Sequence, residues 1–281
     1  MSIIRTENLH FTYEDGTEAL RGIDIAIEKG EKVALLGANG SGKSTFIFSL
    51  NGIHRPSAGI LYLHEKPYDY SKFGLRHLRS AVGVIFQDPD HQLFSAGVYQ
   101  EISFGALNLG LPEEEVRHRV DKAIATLEIE PFRHKPTHFL SGGQKKQVSV
   151  ADILVMDPEV IVLDEPEAAL DPKHAGILNR MIDDLSSKGI TIIESTHDVD
   201  HAFAWADRVI LFHQGKVLRQ GSPEEVFSSE ADLKKTNLTK PAVLHLFEIL
   251  TAKGILSAGL PIPRDLTQLE SYITMKEDFP R

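Results

Sequence analysis

"ALLGANGSGKSTF", residues 34–46, sets six glycine, serine or threonine residues around a single lysine, directly after an apolar run. Within it, Gly37-Ala38-Asn39-Gly40-Ser41-Gly42-Lys43-Ser44 fits G-x-x-x-x-G-K-[ST] in full. Such a loop turns successive backbone N–H groups onto phosphate oxygens, through backbone angles that glycine adopts at least cost. A helix expected from Thr45 to Asn51 offers its positive N-terminal end to the same phosphates. Lys43 brings a charge to the β and γ phosphates, and the Ser44 hydroxyl is a Mg²⁺ ligand. Gly37, Asn39, Gly40, Ser41, Gly42 and Thr45 complete the candidate cradle. A chance glycine-rich turn would lack the apolar strand Lys32–Leu36 before it and the helix after it. The chain therefore binds a nucleoside triphosphate, and the loop by itself leaves the protein class open.

Outward from the loop, Ile23, Ile25 and Ile27 alternate with Asp24, Ala26 and Glu28, the period of a half-buried strand. Strands are expected at Ile60–Leu63 and Val82–Phe86, and a mostly helical stretch over 98–130, restarting at Glu113–Glu115 after Gly110–Pro112. Val160–Leu163 and Ile190–Ile193 are continuous apolar runs, the mark of strands buried on both faces. Arg208–Phe212 and Lys216–Leu218 flank Gln214–Gly215, a hairpin turn. Strands alternating with helices predict an α/β core with parallel strands. From about residue 225 the character is helical, with Val243, Leu246, Phe247 and Leu250 on one face. This extension, residues 226–281, either packs on the core or mediates self-association.

The bulk numbers narrow the function. Lys and Arg total 30 against 40 Asp and Glu, a net charge of −10, which disfavours sequence-independent nucleic-acid binding. The absence of cysteine removes disulfides, thiolate nucleophiles and Cys-zinc sites. The N-terminal stretch has no signal-peptide pattern. Its longest apolar runs fall far short of the roughly 20 residues that a spanning helix needs. A soluble chain is expected, with any membrane role exercised through a partner.

Two further segments carry chemistry. VIVLDEP ends a buried strand with Asp164 and Glu165, where α/β sheets place ligands. Asp164 suits the Mg²⁺ shell, and Glu165 suits a general base for the attacking water. Phe139-Leu140-Ser141-Gly142-Gly143-Gln144 is a second anion site by composition: a serine, two glycines and a helix start. One ATP does not need two such sites on one chain.

LSGGQ resembles the signature of the ATP-binding cassette (ABC) ATPases, and the resemblance spans residues 1 to about 227. It implies an α/β fold with a parallel-sheet, RecA-like core and an N-terminal antiparallel β-subdomain. It further implies a helical signature subdomain at about 88–158 within an ATP-binding domain of residues 1–225, followed by the small C-terminal extension. It also implies a head-to-tail pair of subunits, in which Ser141, Gly142, Gly143 and Gln144 of one complete the ATP site of the other. By the same resemblance Gln87 is the glutamine that contacts metal and couples to the membrane partner. Asp171, in Ala169-Leu170-Asp171, belongs to the loop crossing the dimer interface. His197 is the switch histidine at the γ-phosphate, and Tyr13 stacks on adenine, with Phe11 as the nearby alternative. The chain departs from the family pattern at Gln147, where arginine is usual, at Asp152, and at Glu167 before the AALD segment.

Too few residues separate 88 from 139 for the coiled coil of a DNA-maintenance ATPase, and a single cassette argues against translation-associated members. FQDPDHQLFSAGVYQEISFG, STHDVDHAFAWADRV and AVLHLFEIL resemble energy-coupling-factor importers, most of all the ATP-binding subunits of cobalt importers. Leu93, Phe94, Val98, Ile102 and Phe104 are the candidates for the groove that receives the membrane protein. The implied cofactors are ATP and Mg²⁺. The implied partners are a second ATPase subunit, as homodimer or heterodimer, and integral membrane transport proteins, with no nucleic acid. The implied location is the cytoplasmic face of the cell membrane. The thirteen histidines lack a ligand-like spacing, and no cobalt site is assigned.

Overall fold

The computed structural model describes residues 2–168 and 170–277 of the 281-residue chain. Ala169 of the interface loop lies outside the described residues. In chain order the elements open with β1 (Ser2–Thr12), β2 (Glu18–Glu28), β3 (Lys32–Leu36) and α1 (Lys43–Leu50). β4 (Ala58–Leu63), β5 (Lys66–Pro67), α2 (Lys72–Ala81), β6 (Val82–Ile85), α3 (Val98–Asn108), α4 (Glu113–Thr126) and α5 (Gly142–Leu154) follow. Then come β7 (Val160–Asp164), α6 (Pro172–Ser187), β8 (Thr191–Ser195), α7 (Val199–Trp205), β9 (Arg208–His213) and β10 (Lys216–Gly221). The chain continues through α8 (Pro223–Phe227), α9 (Glu230–Lys235), α10 (Ala242–Ala252) and α11 (Leu266–Glu277).

Two sheets result. β2, β1, β4 and β5 form an antiparallel sheet in that order, and β10, β9, β3, β8, β7 and β6 form the second. In the second sheet β9 through β6 run parallel, and β10 closes one edge antiparallel to β9. The alternating isoleucines of β2 are all buried while Asp24, Ala26 and Glu28 are exposed. Each buried isoleucine contributes about 2 kcal/mol of transfer free energy. The continuous runs behave differently because their sheet is covered on both faces. Val33, Leu35, Val160 and Val162 join the core shared with the antiparallel sheet and α1. Ala34, Leu36, Ile161 and Leu163 join the opposite core, under α3, α4, α5 and α6.

The C-terminal extension packs on that second core. Val226, Phe227, Val243, Leu244, Phe247, Leu256 and Leu269 belong to the same apolar cluster as Phe203. Arg264 fastens it by donating to Glu224 Oε1 at 2.7 Å and to the Ala206 carbonyl at 2.6 Å. The buried face of α10 is rotated from the one expected: Val243, Leu244 and Phe247 are inside, and Leu246 is 40% exposed. Leu246 and Ile249 point outward while Leu244 is buried on the core.

One buried ion pair stands behind the strand that leads to His197. Glu194 on β8 is 1% exposed, and His201 Nε2 on α7 is 3.3 Å from its Oε1. Burial lowers the His201 pKa, but Glu194, Glu167 and Asp198 outweigh it and hold the imidazolium above its ordinary range. His201→Ala strands a buried carboxylate and is expected to cost about 3 kcal/mol in urea unfolding at pH 6. Adding Glu194→Ile should recover most of that loss. Because the folded pKa is raised, the contribution is complete below the unfolded value of about 6.5. It is lost as pH rises through the folded value, so the gap between wild type and H201A should narrow above neutrality.

Candidate nucleotide site

The phosphate loop leaves β3 at the carboxyl edge of the parallel sheet, where ligands of α/β folds bind. Gly37 has φ of 145°, and a Cβ there would meet the Phe212 carbonyl oxygen at 2.4 Å, so no larger residue fits. Helix α1 begins from Gly42 with no side-chain cap, which leaves its N-terminal amides for a ligand. The Gln214–Gly215 turn has φ of 49° and 76°, as a tight hairpin demands, and reaches the loop: Gly215 N–H donates to Ser41 O at 2.9 Å. Tyr13, Asn39, Gly40, Ser41, Gly42, Lys43, Ser44, Thr45 and Glu165 line one open cleft of about 670 Å³, within the range of ligand sites.

Lys43 is 5% exposed and donates to the Gly37 carbonyl at 2.7 Å. Burial pulls its pKa down, and Glu165 and Asp164 oppose that shift. Tyr13 sits at the cleft rim, 40% exposed, with its hydroxyl 2.8 Å from Thr45 Oγ1. Phe11 lies behind it, ring centroids 5.0 Å apart edge to face, and packs against the core. Tyr13 is therefore the residue of the pair that faces the cleft.

Strand register assembles the carboxylates. Asp164 pairs with Ser195 across β7 and β8, and Ser195 Oγ donates to Asp164 Oδ1 at 2.6 Å. Glu165 follows with φ of 44°, a left-handed conformation that costs of order 1–3 kcal/mol and needs support. Its N–H donates to Ser195 O at 3.1 Å and to Ser195 Oγ at 3.0 Å. Its carboxylate is held from two sides: Gln87 Nε2 donates to Oε2 at 3.0 Å, and His197 Nε2 is 2.7 Å from Oε1. Gln87, Glu165 and His197, three residues far apart in sequence, thus meet at one carboxylate.

Other expected site residues lie elsewhere. Ser141 caps α5 by accepting from Gln144 N–H, and the Gln144 side chain accepts from Ser141 N–H, a capping box at the signature. Ser141, Gly142, Gly143 and Gln144 are outside the cleft lining. Asp171 caps α6 by accepting from Lys173 and His174 N–H, and its Oδ2 is 2.6 Å from His174 Nδ1. A Cβ on Gly143 would meet that His174 ring at 2.4 Å, so the signature packs on the first turn of α6.

Lys146 was not anticipated from sequence. It is 2% exposed and donates to the carbonyls of Phe86 and Gln87, both at 2.9 Å. Burial draws its pKa down to about 8 against the pull of Asp88 and Asp164. Gln147, the departure from the family arginine, donates to the Leu127 carbonyl at 3.1 Å and ties α5 to the end of α4.

Known proteins resemble this chain in sequence and fold. The ABC transporter family matches residues 20–168. The energy-coupling factor transporter ATP-binding protein EcfA of Methanocaldococcus jannaschii is 50% identical over 90% of this chain and 91% of its own length. EcfA2 of Clostridium perfringens is 48% identical over 89% of this chain and 88% of its own. Among solved structures, cbiO1 of Clostridium perfringens, part of the ABC transporter complex cbiONQ, superposes with a TM-score of 0.75 at 48% identity, covering 88% of this chain and 99% of that one. A dimeric post-hydrolysis state of the cassette MJ0796 bound to ADP and Pi gives a TM-score of 0.71 at 26% identity, covering 78% and 98%. The chain belongs to the ABC transporter family, as an ATP-hydrolysing subunit of the energy-coupling-factor type.

Proposed function

We propose that two copies of this chain, or this chain and a related subunit, close head to tail on two ATP molecules and power an importer in the membrane. The observation that carries the reading is the meeting of Gln87 and His197 on Glu165 beside the phosphate-loop cleft. Ser141–Gln144, outside that cleft, supplies the anion site that completes the partner's half. Residues 1–225 act as the ATP-binding domain, with 88–158 as its helical subdomain, and 226–281 as an appended helical extension packed on its core.

Ser44, Gln87 and Asp164 offer a hydroxyl, an amide carbonyl and a carboxylate, an all-oxygen set that suits Mg²⁺. Gln87 commits its nitrogen to Glu165, which leaves its carbonyl oxygen for the cation. When bound, Mg²⁺ neutralises charge on the β and γ oxygens. Lys43 exchanges the Gly37 carbonyl for phosphate oxygens, Tyr13 supports the base, and Glu165 orients the attacking water and accepts its proton. His197, held beside Glu165, acts at the γ-phosphate, and Asp171 acts where the two subunits meet.

No helix among the described residues is long and apolar enough to cross a membrane. The proposed attachment is peripheral, on the cytoplasmic face, through a partner. A groove of about 510 Å³ between α2, α3 and α5 is the docking place. Of the residues expected there, Phe94 and Phe104 line it, 65% and 45% exposed. Val98 and Ile102 are fully buried in the core instead, and Leu93 packs against that core. Glu101 and Asp152 lie among the lining residues. Burial, then Glu101, pushes the Asp152 pKa well above the carboxylate range.

The transported solute is cobalt, nickel or a vitamin. A subunit of another importer class, or a soluble ABC ATPase, is the competing assignment. A tagged pull-down from detergent-solubilised native membranes, read by mass spectrometry, decides between them. One transmembrane protein with a small membrane-embedded substrate binder is expected, and the binder identifies the solute. A pair of large permeases would reassign the importer class, and no membrane protein would overturn transport.

A further inference from the structure

Helix α5 is fastened to the segment 86–92 by three contacts along its length. Lys145 Nζ is 2.5 Å from Asp90 Oδ1. Gln92 Nε2 donates to the Ser149 carbonyl at 2.9 Å. Between them Lys146 reaches inward to the carbonyls of Phe86 and Gln87. These carbonyls follow the last residue of β6 and lie beyond its ladder to β7, which ends at Ile85 paired with Leu163. A charge-assisted hydrogen bond is stronger than a neutral one, so a single buried ammonium serving both carbonyls ties this backbone to α5.

We propose that Lys146 is a positioning residue for Gln87. Its ammonium pins the backbone that carries Gln87 to the signature helix, and so sets the amide that donates to Glu165. Lys146 touches neither the phosphate cleft nor Glu165 itself. The neighbour Lys145, half-buried, makes only the contact to Asp90 among the ties and is dispensable for this purpose.

The test compares Lys146→Met, which keeps the length and loses every donor, with Lys146→Gln and Lys145→Met. In the nucleotide-free full chain, amide hydrogen exchange over 86–92 should accelerate about tenfold or more in K146M. In steady-state hydrolysis, kcat should fall roughly tenfold while KM and the affinity for a fluorescent ATP analogue stay within about twofold. K146Q reaches at most one carbonyl and should fall in between, and K145M should match wild type. Wild-type exchange in K146M would overturn the assignment, as would a fall in kcat that tracks lost ATP affinity and lowered melting temperature. Should K146M not fold, K146Q carries the test, and wild-type exchange with wild-type kcat in it would overturn the assignment. The kinetic arm rests on the ATPase reading; a wild-type chain without hydrolysis would sink that reading and leave exchange alone to decide Lys146.

Discussion

Glu165→Gln is expected to cut ATP turnover by about two to three orders of magnitude, the scale of a lost general base. The amide keeps the size of the carboxylate and can still accept a bond from Gln87 or His197. It has no charge with which to take a proton from water. The strained backbone at Glu165 is held by Ser195, not by the side chain, so the fold should tolerate the change. The proposed site assigns phosphate binding to Lys43 and the loop amides, so ATP affinity should stay within about threefold. If closure precedes hydrolysis, the variant accumulates as an ATP-bound dimer. Size-exclusion chromatography with Mg-ATP should show that dimer for E165Q and monomer for wild type after turnover. Retained activity in E165Q would remove Glu165 from the base role and turn attention to His197, the other group that can take a proton at that point.

The site was legible where chemistry forces residue type and spacing together. The phosphate loop needs glycine where φ is positive and a lysine where phosphates lie, and both survive in plain sequence. Glu165 and His197 were legible because each follows a continuous apolar run, and in a two-sided sheet such a run ends at the ligand edge. What periodicity could not supply was contact between distant backbones. The hydrogen bond from Gly215 to Ser41 joins residues 174 apart only because β9 lies beside β3. Lys146 reads as one more basic residue on a polar helix, and its burial comes from carbonyls that carry no side-chain signature. Helix α2 was missed for a different reason. Its ten residues hold few apolar side chains, and the signal was the Ser71 cap, which accepts from Gly74 N–H. On α10 the pattern Val243, Leu246, Phe247 and Leu250 fits a helical face as well as the observed one does. Only the shape of the surface beneath selected Leu244 over Leu246.

Lys43→Ala should lower ATP affinity by about 10- to 100-fold, the range for losing hydrogen bonds to a charged group. The size follows from where the lysine starts. Without nucleotide its ammonium rests on the carbonyls of Gly37 and Ala38, largely out of water, and burial depresses its pKa. Moving it onto phosphate oxygens replaces neutral acceptors with anionic ones, and the ammonium is already largely out of water, so little further desolvation of the lysine opposes the gain. The same burial predicts an opposite effect on the fold. A lysine with a lowered folded pKa binds fewer protons than the unfolded chain between that pKa and about 10.4, so its contribution to stability rises with pH there. At neutral pH the buried charge is therefore a cost, partly offset by its two carbonyl contacts. Nucleotide-free K43A should unfold within about 1 kcal/mol of wild type. The stabilisation by millimolar ATP, which grows as RT ln(1 + [ATP]/Kd), should shrink by about 1.4 kcal/mol for each tenfold loss of affinity. Thermal unfolding with and without ATP reads both quantities in one experiment. An unchanged ATP shift in K43A would place the phosphates away from this lysine, and a large drop without nucleotide would make Lys43 a structural residue of the loop.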